Sequence, residues 1–442
     1  MKAFSTPNHK REEIKSSMEK PKIIKPDLVI INANELVTLD SKYGSPRTGS
    51  AMSNLAIIKN GAIAIYKEDI IFVGDTYELL KICDLNEVPY VIDAEGKLVT
   101  PGFVDPHTHI IFDGSRENEL EMKLTGKTYL EILETGGGIL KTVRATRKAS
   151  LEKLIQNGIK ILDKMMQYGT TTVEVKSGYG LTVEDEIKSL RTARELNKIH
   201  PIDIIPTFLG AHTIPPEFRD NPDGYVDLIV KKMLPRIAEE NLAEFCDVFC
   251  EQGIFTVDQT RKIIQAAKKM GLKPQVHIDE IYDTNGASLA VEIGAIQTGH
   301  LLKSNDDGLK EMAKAKTIAT LLPGTPFCLM LQDYAPARKM IEMEIPVALA
   351  TDLNPNCWTE SMLMIIALSC YNMKMKPAEA LTAATLNAAC AIQRQDRIGS
   401  LEVGKKADII IFDIPNHDFL AYQFGVNLVN KVIKNGKIIV DN

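Results

Sequence analysis

The stretch PGFVDPHTH, residues 101–109, decides the fold, because it ends an apolar strand with two histidines. Alternate residues of an extended strand share one face, so the side chains of His107 and His109 point to the same side. Two neutral imidazoles at this spacing can bind one metal ion. A His-x-His pair alone is weak evidence. The apolar strand and the Pro101-Gly102 and Asp105-Pro106 pairs favour a metal site over two structural histidines.

Further apolar strands alternate with amphipathic helical stretches along the middle of the chain. Helical periodicity is clear in residues 151–169 and 256–271. The eight candidate strands are LVTPGFVDPH (98–107), TTTVEVKS (170–177), IDIIPTFLG (202–210), CDVFCE (246–251), LKPQVHID (272–279), AIQTGH (295–300), TIATLLP (317–323) and PVALATD (346–352). This alternation predicts a (β/α)₈ barrel. A doubly wound open sheet is the alternative, but its glycine-rich dinucleotide turn is missing from the sequence.

Both ends of the chain are rich in short strands. Asn-Gly pairs at Asn60-Gly61 and Asn435-Gly436 predict tight hairpins. Neither end has enough strands for a core of its own. We therefore expect residues 26–98 and 403–442 to form one composite β-sandwich domain, residues 99–402 to form the barrel, and the polar residues 1–25 to form a mobile tail.

The composition is that of a soluble globular protein, with 45% hydrophobic and 25% charged residues. The net charge of −6 gives no electrostatic footprint for nucleic acid. No apolar run has the length of a membrane span, and the N-terminus lacks the apolar centre of a secretory signal. These features predict a cytoplasmic protein. The seven scattered cysteines argue against a disulfide framework, and Cys246 and Cys250 are interpreted as buried hydrophobes rather than metal ligands.

Five of the eight histidines fall at or just beyond the C-terminal end of a proposed strand. They are His107, His109, His212, His277 and His300. In a barrel these strand ends meet at one rim, where active sites are built. A single histidine there is commonly structural, but five at one rim indicate a catalytic or metal site.

The metal-binding run and its successors resemble the amidohydrolase superfamily. The resemblance implies that His277, in KPQVHIDE, and Asp352, in ALATDLNP, join His107 and His109 as metal ligands. Asp352 as an ordinary turn aspartate is the alternative. The end of the fourth strand carries Cys250-Glu251 and no obvious bridging residue, so we expect one metal ion per chain, either divalent Zn²⁺ or iron as Fe²⁺ or Fe³⁺.

Six motifs in order narrow the resemblance to members that open the ring of 4-imidazolone-5-propanoate. They are IIFDGSRENE, KSGYG, TFLGAHTIP, DVFCE, HIDE and DLNPN, and LEVGKKADIIIFD extends the match into the C-terminal β-segment. The resemblance implies hydrolysis of the ring amide to N-formimidoyl-L-glutamate in histidine degradation, by a homodimer. One departure is visible at Asn356 and Cys357, where many bacterial members carry glycine and a small hydroxyl residue.

The same resemblance implies a role for each rim residue. Asp352, His300 and Glu280 would be catalytic, with His300 polarising the carbonyl, adding a ligand or serving only as a buried structural imidazole. Arg116 would clamp the propionate of a small anionic substrate, for which a guanidinium is well suited. The remaining substrate-binding candidates are Tyr179, His212, Glu280, Asn354, Asn356 and Cys357. For Arg116, Glu280 and Asn354, ordinary loop roles are the alternative.

Two other functions remain open from the sequence. A purine or pyrimidine aminohydrolase would keep the metal ligands but would need no carboxylate clamp. A barrel that had lost its metal would serve as a scaffold, although every expected ligand position is filled here. The run Gly136-Gly137-Gly138 lacks the lysine and hydroxyl of a phosphate loop and predicts a flexible loop near the mouth.

Overall fold

A computed structural model describes residues 23–127, 131 and 136–442 of the chain. The mobile tail that we predicted over residues 1–25 lies almost entirely outside this part. Ile24 is within it, and its amide donates to the carbonyl of Ile82 at 3.0 Å. Among the helices described, none combines the length and the apolar character needed to cross a membrane.

The strands fall into three sheets. In chain order they are β1 Leu28–Ala33, β2 Glu35–Val37, β3 Ile57–Ile58, β4 Gly61–Tyr66, β5 Asp69–Asp75, β6 Tyr90–Asp93, β7 Leu98–Pro101, β8 Phe103–Thr108, β9 Thr170–Lys176, β10 Asp203–Ala211, β11 Phe245–Cys250, β12 Lys273–Ile278, β13 Gln297–His300, β14 Ile318–Leu321, β15 Val347–Leu349, β16 Ile409–Phe412, β17 Val429–Lys434 and β18 Lys437–Asp441.

The α-helices of the described residues are α1 Thr76–Leu80, α2 Asn118–Leu124, α3 Ile139–Lys148, α4 Leu151–Gln167, α5 Val183–Ile199, α6 Pro222–Leu228, α7 Leu234–Glu239, α8 Val257–Lys269, α9 Gly286–Ile293, α10 Asp306–Ala315, α11 Gly324–Cys328, α12 Ala337–Glu342, α13 Met362–Met373, α14 Pro377–Ala383, α15 Leu386–Ala391 and α16 Phe419–Tyr422. The helices α4 and α8 confirm the two amphipathic stretches read from the sequence. Ser150 and Thr256 cap their first turns through side-chain oxygens.

Strands β8 to β15 form one eight-stranded sheet in sequence order, and every neighbouring pair is parallel. The sheet curves back on itself beyond its last strand. The amide of Asp352 donates to the carbonyl of His107 at 3.1 Å, and the amide of His109 donates to the carbonyl of Leu353 at 2.9 Å. The predicted (β/α)₈ barrel is confirmed.

The first candidate strand, LVTPGFVDPH, is in fact two strands. Leu98–Pro101 is β7, which pairs with β16 and β2 in the composite domain, and the barrel starts with β8 at Phe103. Gly102 lies between them. A Cβ at Gly102 would lie 2.3 Å from Oγ1 of Thr171, so only glycine permits this close approach of β8 to its neighbour β9. An apolar run hid the break from sequence periodicity.

The other two sheets lie outside the barrel. The four-stranded sheet has the order β5-β4-β1-β6 and uses N-terminal strands only, while the six-stranded sheet has the order β18-β17-β16-β7-β2-β3 and combines both chain ends. Ile30 and Ile63 of the first sheet pack in one core with Val99 and Ile409 of the second. The two sheets therefore form the predicted composite sandwich.

The two hairpin predictions have different outcomes. Asn435-Gly436 joins the antiparallel strands β17 and β18, as expected. Asn60-Gly61 does not make a hairpin, because β3 and β4, which it joins, belong to different sheets. The hairpin lies one strand later, between β4 and β5, where Tyr66 pairs with Asp69 and Lys67 has φ 56°. Asn60 does adopt positive φ, so its turn conformation was right and its strand partner was wrong.

Candidate functional site

Three imidazoles and one carboxylate converge at the C-terminal rim of the barrel. Nε2 of His107 lies 2.9 Å from Nε2 of His277, which lies 3.5 Å from Nε2 of His109. Oδ1 of Asp352 lies 3.3 Å from Nε2 of His109 and 3.7 Å from Nε2 of His107. All four side chains are buried. Strands β8 and β12 and the end of β15 thus bring together the residues that the sequence predicted as ligands.

The spacing of these atoms fits a small divalent cation. Bonds of about 2.0–2.1 Å from a tetrahedral ion place its ligand atoms about 3.4 Å apart, which is close to the four distances of the cluster. Imidazole nitrogens and a carboxylate oxygen suit Zn²⁺ and Fe²⁺ alike. Glu251 follows β11, the fourth strand of the barrel. It accepts a hydrogen bond from the amide of Ile281 at 2.9 Å and thereby fixes the loop after β12.

Burial favours the neutral form of four rim histidines, His107, His212, His277 and His300. It is the largest cause that lowers the pKa of His107 and of His212 well below the ordinary value, and of His277 to a smaller extent. Burial also lowers the pKa of His300 to about 3. A neutral imidazole carries a free lone pair, which is the form that binds a metal ion. The site is therefore ready for a cation at neutral pH.

Asp352 is held ionised in a strained backbone conformation. Its φ of 51° lies in the left-handed region, which a residue other than glycine adopts at some cost and which is common at functional sites. Burial would raise the pKa of its carboxyl, but the hydrogen bond with His109, the electrostatic interaction with His300 and the hydroxyl of Thr325 hold that pKa well below its usual range. Asp352 therefore offers a negative charge to the site.

Glu280 and His300 form a second pair beside the ligands. Oε2 of Glu280 lies 3.5 Å from Nε2 of His300. Burial raises the pKa of Glu280 to about 8, and the nearby charges of Asp352 and Glu251 add to the rise. A carboxyl with this pKa keeps its proton at neutral pH and can donate it. The structure therefore brings both predicted catalytic partners to the ligand cluster.

His212 and Tyr179 line the other side of the cluster. The ring of His212 stacks on that of His109, with centroids 5.0 Å apart and planes 19° apart. Nδ1 of His212 lies 3.1 Å from the carbonyl of Gly178, which favours a proton on Nδ1 and leaves Nε2 as an acceptor. The ring of Tyr179 lies 5.2 Å from that of His212. Both residues are at the rim, as predicted.

Arg116 lies at the rim with its guanidinium partly engaged. Its Nε and Nη2 donate to one oxygen of Glu119 at 2.9 and 2.7 Å, and both side chains are nearly buried. The other oxygen of Glu119 accepts from the amide of Gly138 at 2.8 Å. The glycine run that we predicted as a flexible loop thus has one fixed point, while the residues just before Gly136 lie outside the described part of the chain.

A second cation, Lys123 of α2, stands near Arg116. Its Nζ donates to Oδ1 of Asn356 at 2.6 Å. Partial burial lowers the pKa of Lys123, and the charge of Arg116 lowers it further. Lys123 was missed by sequence reasoning because a helical lysine is ordinarily a solvated residue. The available signal was the position of α2 after β8, because the segments that follow barrel strands surround the mouth of the barrel.

The side chains of Asn354 and Cys357 are engaged within their own loop. Oδ1 of Asn354 accepts from the amides of Asn356 and Cys357 at 2.8 and 3.1 Å, and its Nδ2 donates to the carbonyl of Asp352 at 2.7 Å. The thiol of Cys357 is buried and lies 3.7 Å from the carbonyl of Thr351. The loop chemistry that we kept as the alternative for Asn354 is thus present. All seven cysteines are free, and Cys246 is buried.

A charged cluster inside the barrel was also missed. Nζ of Lys176 lies 2.8 Å from Oε1 of Glu174, 2.8 Å from Oδ2 of Asp247 and 3.1 Å from Oε1 of Gln275. The signal was present in TTTVEVK, where Glu174 and Lys176 share one face of an otherwise apolar strand. The strand was predicted as one of a set of apolar strands, and that prediction gave its two charges no role.

Comparisons with known proteins agree with this architecture. The sequence profile of the Amidohydrolase family matches residues 98–439. The chain is 52% identical to an imidazolonepropionase of Alkaliphilus metalliredigens over 418 residues, which cover 94% of this chain and 98% of that protein. It is 49% identical to an imidazolonepropionase of Geobacillus kaustophilus over 417 residues, with 94% and 98% covered.

Solved structures share the fold at lower identity. An adenosine deaminase from Xanthomonas campestris with bound zinc superposes with a TM-score of 0.70 at 16% identity, covering 95% of this chain and 94% of that one. An atrazine chlorohydrolase from Arthrobacter aurescens, complexed with zinc, gives 0.70 at 17% identity, with 94% and 95% covered. At such low sequence identity, the structural similarity supports a shared fold and nothing further. The family profile and the curated relatives go further: the chain belongs to the amidohydrolase family and, within it, to the imidazolonepropionases.

Proposed function

We propose that this protein hydrolyses the ring amide of 4-imidazolone-5-propanoate to N-formimidoyl-L-glutamate, the third step of histidine degradation. One observation carries the proposal: a chain about half identical to imidazolonepropionases over 94% of its length brings His107, His109, His277 and Asp352 to one point. An amide is a poor electrophile and water is a poor nucleophile, so the reaction needs both to be activated.

We propose that these four side chains hold one divalent ion, Zn²⁺ or iron. Such an ion would lower the pKa of a water molecule towards 7 and polarise the amide carbonyl. The imidazoles would supply nitrogen lone pairs, and Asp352 would supply charge and a proton acceptor. The position of Asp352 beside the ligands lets it take the proton of the attacking water.

Glu280 and His300 would serve the carbonyl and the leaving nitrogen. A protonated Glu280 can donate to the departing ring nitrogen, which must gain a proton as the C–N bond breaks. His300, 3.5 Å from Glu280, can donate a hydrogen bond to the oxygen on which negative charge develops. These roles follow from the positions and protonation states of the two side chains. His300 would act as the water attacks the carbonyl, and Glu280 would act as the C–N bond breaks.

The substrate is a small anion, and the cationic side of the rim suits its propionate. Arg116 keeps part of its guanidinium outside the pair with Glu119, and Lys123 adds a second charge nearby. Tyr179 and His212 would hydrogen-bond the ring. Asn354, Asn356 and Cys357 would shape the loop against which the substrate lies, with Asn356 oriented by Lys123. We also propose that the protein acts as a cytoplasmic homodimer, as its family resemblance implies.

The test is hydrolysis of freshly generated imidazolone propionate by purified protein of known metal content. We expect turnover that is lost on chelation and restored by Zn²⁺ or Fe²⁺. A His277→Asn variant should lose both metal and turnover, whereas His417→Asn, outside the barrel, should keep both.

A wild-type chain that carries one metal ion yet leaves the imidazolone intact would refute the substrate assignment. Purine and pyrimidine amines are then the substrates to assay. A chain that takes up no transition metal at all would instead favour the scaffold alternative.

A further inference from the structure

Lys176 is a lysine with no access to solvent, deep inside the barrel. Its side chain and those of Glu174 and Asp247 are at most 1% exposed. Glu174 and Lys176 project from β9, and Asp247 projects from β11, two strands away in the sheet. Oε1 of Gln275, on β12, lies 3.1 Å from Nζ of Lys176. All three partners lie within hydrogen-bonding distance of the ammonium group of Lys176.

Stability alone does not account for this cluster. Removing a lysine and two carboxylates from water costs several kcal/mol per ion, and apolar side chains of the same volume commonly stabilise a core as well or better. The rest of the barrel interior shows that this chain can fill such positions with uncharged residues, as at Thr170 and Thr172 of the same strand. The charges therefore call for a role beyond packing.

The cluster reaches the metal-binding cluster through one oxygen atom. Oδ2 of Asp247 lies 2.8 Å from Nζ of Lys176 and 3.0 Å from Nδ1 of His277. The other ring nitrogen of His277, Nε2, faces His107 and His109. A carboxylate on the far nitrogen of a ligating imidazole sets which nitrogen carries the proton and how the ring is turned.

We propose that Asp247, fixed by Lys176, is a positioning residue that holds His277 protonated at Nδ1 and leaves its Nε2 bare for the metal ion. Lys176 contacts the same oxygen that faces the imidazole, which restricts the orientation of the carboxylate. Glu174 holds the ammonium group in turn. The inference rests on the proposed metal site, and its test measures metal binding rather than turnover.

The first experiment compares Asp247→Ala, Asp247→Asn and Lys176→Met with Thr172→Val, a substitution on the same inward face of β9 that leaves the cluster intact. Zn²⁺ affinity is measured by competition with a chromophoric chelator. We expect Asp247→Ala to weaken binding about 10- to 100-fold. Asp247→Asn should recover part of the loss because it keeps an oxygen, and Thr172→Val should bind as the wild type does.

Cobalt substitution separates positioning from general loosening of the barrel. The visible bands of bound Co²⁺ report the arrangement of its ligands, so Asp247→Ala and Lys176→Met should shift them while Thr172→Val should not. Affinities within twofold of wild type together with unchanged bands in both variants would overturn the inference.

A measurement on the unaltered holoenzyme covers the case in which the variants do not fold. In protein labelled with ¹⁵N-histidine and loaded with Zn²⁺, His277 should be the tautomer protonated at Nδ1. A proton on Nε2 with the metal on Nδ1 would refute the inference. If metal binding behaves as expected and the imidazolone is not hydrolysed, the proposed function fails while this inference stands.

Discussion

The cationic side of the rim depends on two residues of different character. Arg116 is paired with Glu119, whereas Lys123 has a flexible stem and donates a hydrogen bond to Asn356. Partial burial and the charge of Arg116 both lower the pKa of Lys123, so this ammonium is partly desolvated, and the acceptor described for its Nζ is a neutral amide oxygen rather than a carboxylate. An anionic substrate would supply one.

Replacing Lys123 by methionine should therefore weaken substrate binding rather than chemistry. A charge-assisted hydrogen bond contributes about 1.5–3 kcal/mol, so we expect KM to rise about tenfold or more with little change in kcat. Steady-state kinetics on imidazolone propionate measure both constants. Lys127→Met, an exposed neighbour, is the matched control. An unchanged KM in Lys123→Met would place the propionate elsewhere.

Among the elements, β7 and β8 meet at a closely packed junction. Gly102 lets the chain leave the composite sheet and enter the barrel against Thr171, whose Oγ1 would lie 2.3 Å and whose Cγ2 would lie 2.5 Å from an added Cβ. Thr171 is on β9, beside the strand that carries His107. A shift here would directly displace β8, which carries His107.

Gly102→Ala should destabilise the protein by about 1–3 kcal/mol, the usual cost of overpacking. Because the clash is with the Thr171 side chain, the same substitution should cost less in a Thr171→Ala background. Denaturant titration of the two single variants and the double variant gives the coupling energy. Strict additivity would show that the backbone, and not Thr171, sets the requirement for glycine.

Sequence periodicity recovered the elements but not their internal divisions. It found the barrel strands from their apolar runs and the helices α4 and α8 from their amphipathic pattern. It did not divide LVTPGFVDPH, since β7 and β8 are both apolar and Gly102 reads as a simple interruption. It also overlooked Lys176 and Asp247, because their meaning depends on which strands are neighbours in the closed barrel. The rim histidines were predictable because strand ends of a barrel meet by topology.

At the scale of the whole molecule, Glu402 joins segments from the two ends of the chain. Its carboxylate accepts from the hydroxyl of Ser41 at 2.7 Å, 361 residues away, and lies 2.8 Å from Nζ of Lys405. Burial would raise its pKa, but Lys405, Ser400 and Ser41 lower the pKa of Glu402 to about 2. The ionised form is thus the one that stabilises the fold.

The lowered pKa of Glu402 makes the stability of the fold depend on pH over a defined range. Because the folded pKa is depressed from 4.5 to about 2, the stabilisation is present above pH 4.5 and is lost as the pH falls through about 2. Glu402→Gln should therefore lower stability at pH 7 by about 1–2 kcal/mol, a figure reduced for partial solvent exposure. The difference from wild type should shrink towards pH 2.

Thermal unfolding of Glu402→Gln and wild type, measured from pH 7 down to pH 2, checks this expectation. The exposed Glu95→Gln is the control and should follow the wild type at every pH. A Glu402→Gln difference that stayed constant across the range would mean that packing, not ionisation, accounts for the effect.

The six-stranded sheet has a consequence for synthesis on the ribosome. Strand β7 pairs with β16, and Lys97 beside β7 bonds Asp413 beside β16, 316 residues later in the chain. At about 5–20 residues per second, the free edge of β7 waits roughly 15 to 60 seconds for its partner. An open strand edge is a template for pairing with other chains. The nascent protein is therefore most exposed to misassembly while its barrel is being translated, and the last strands to emerge are those that end this exposure.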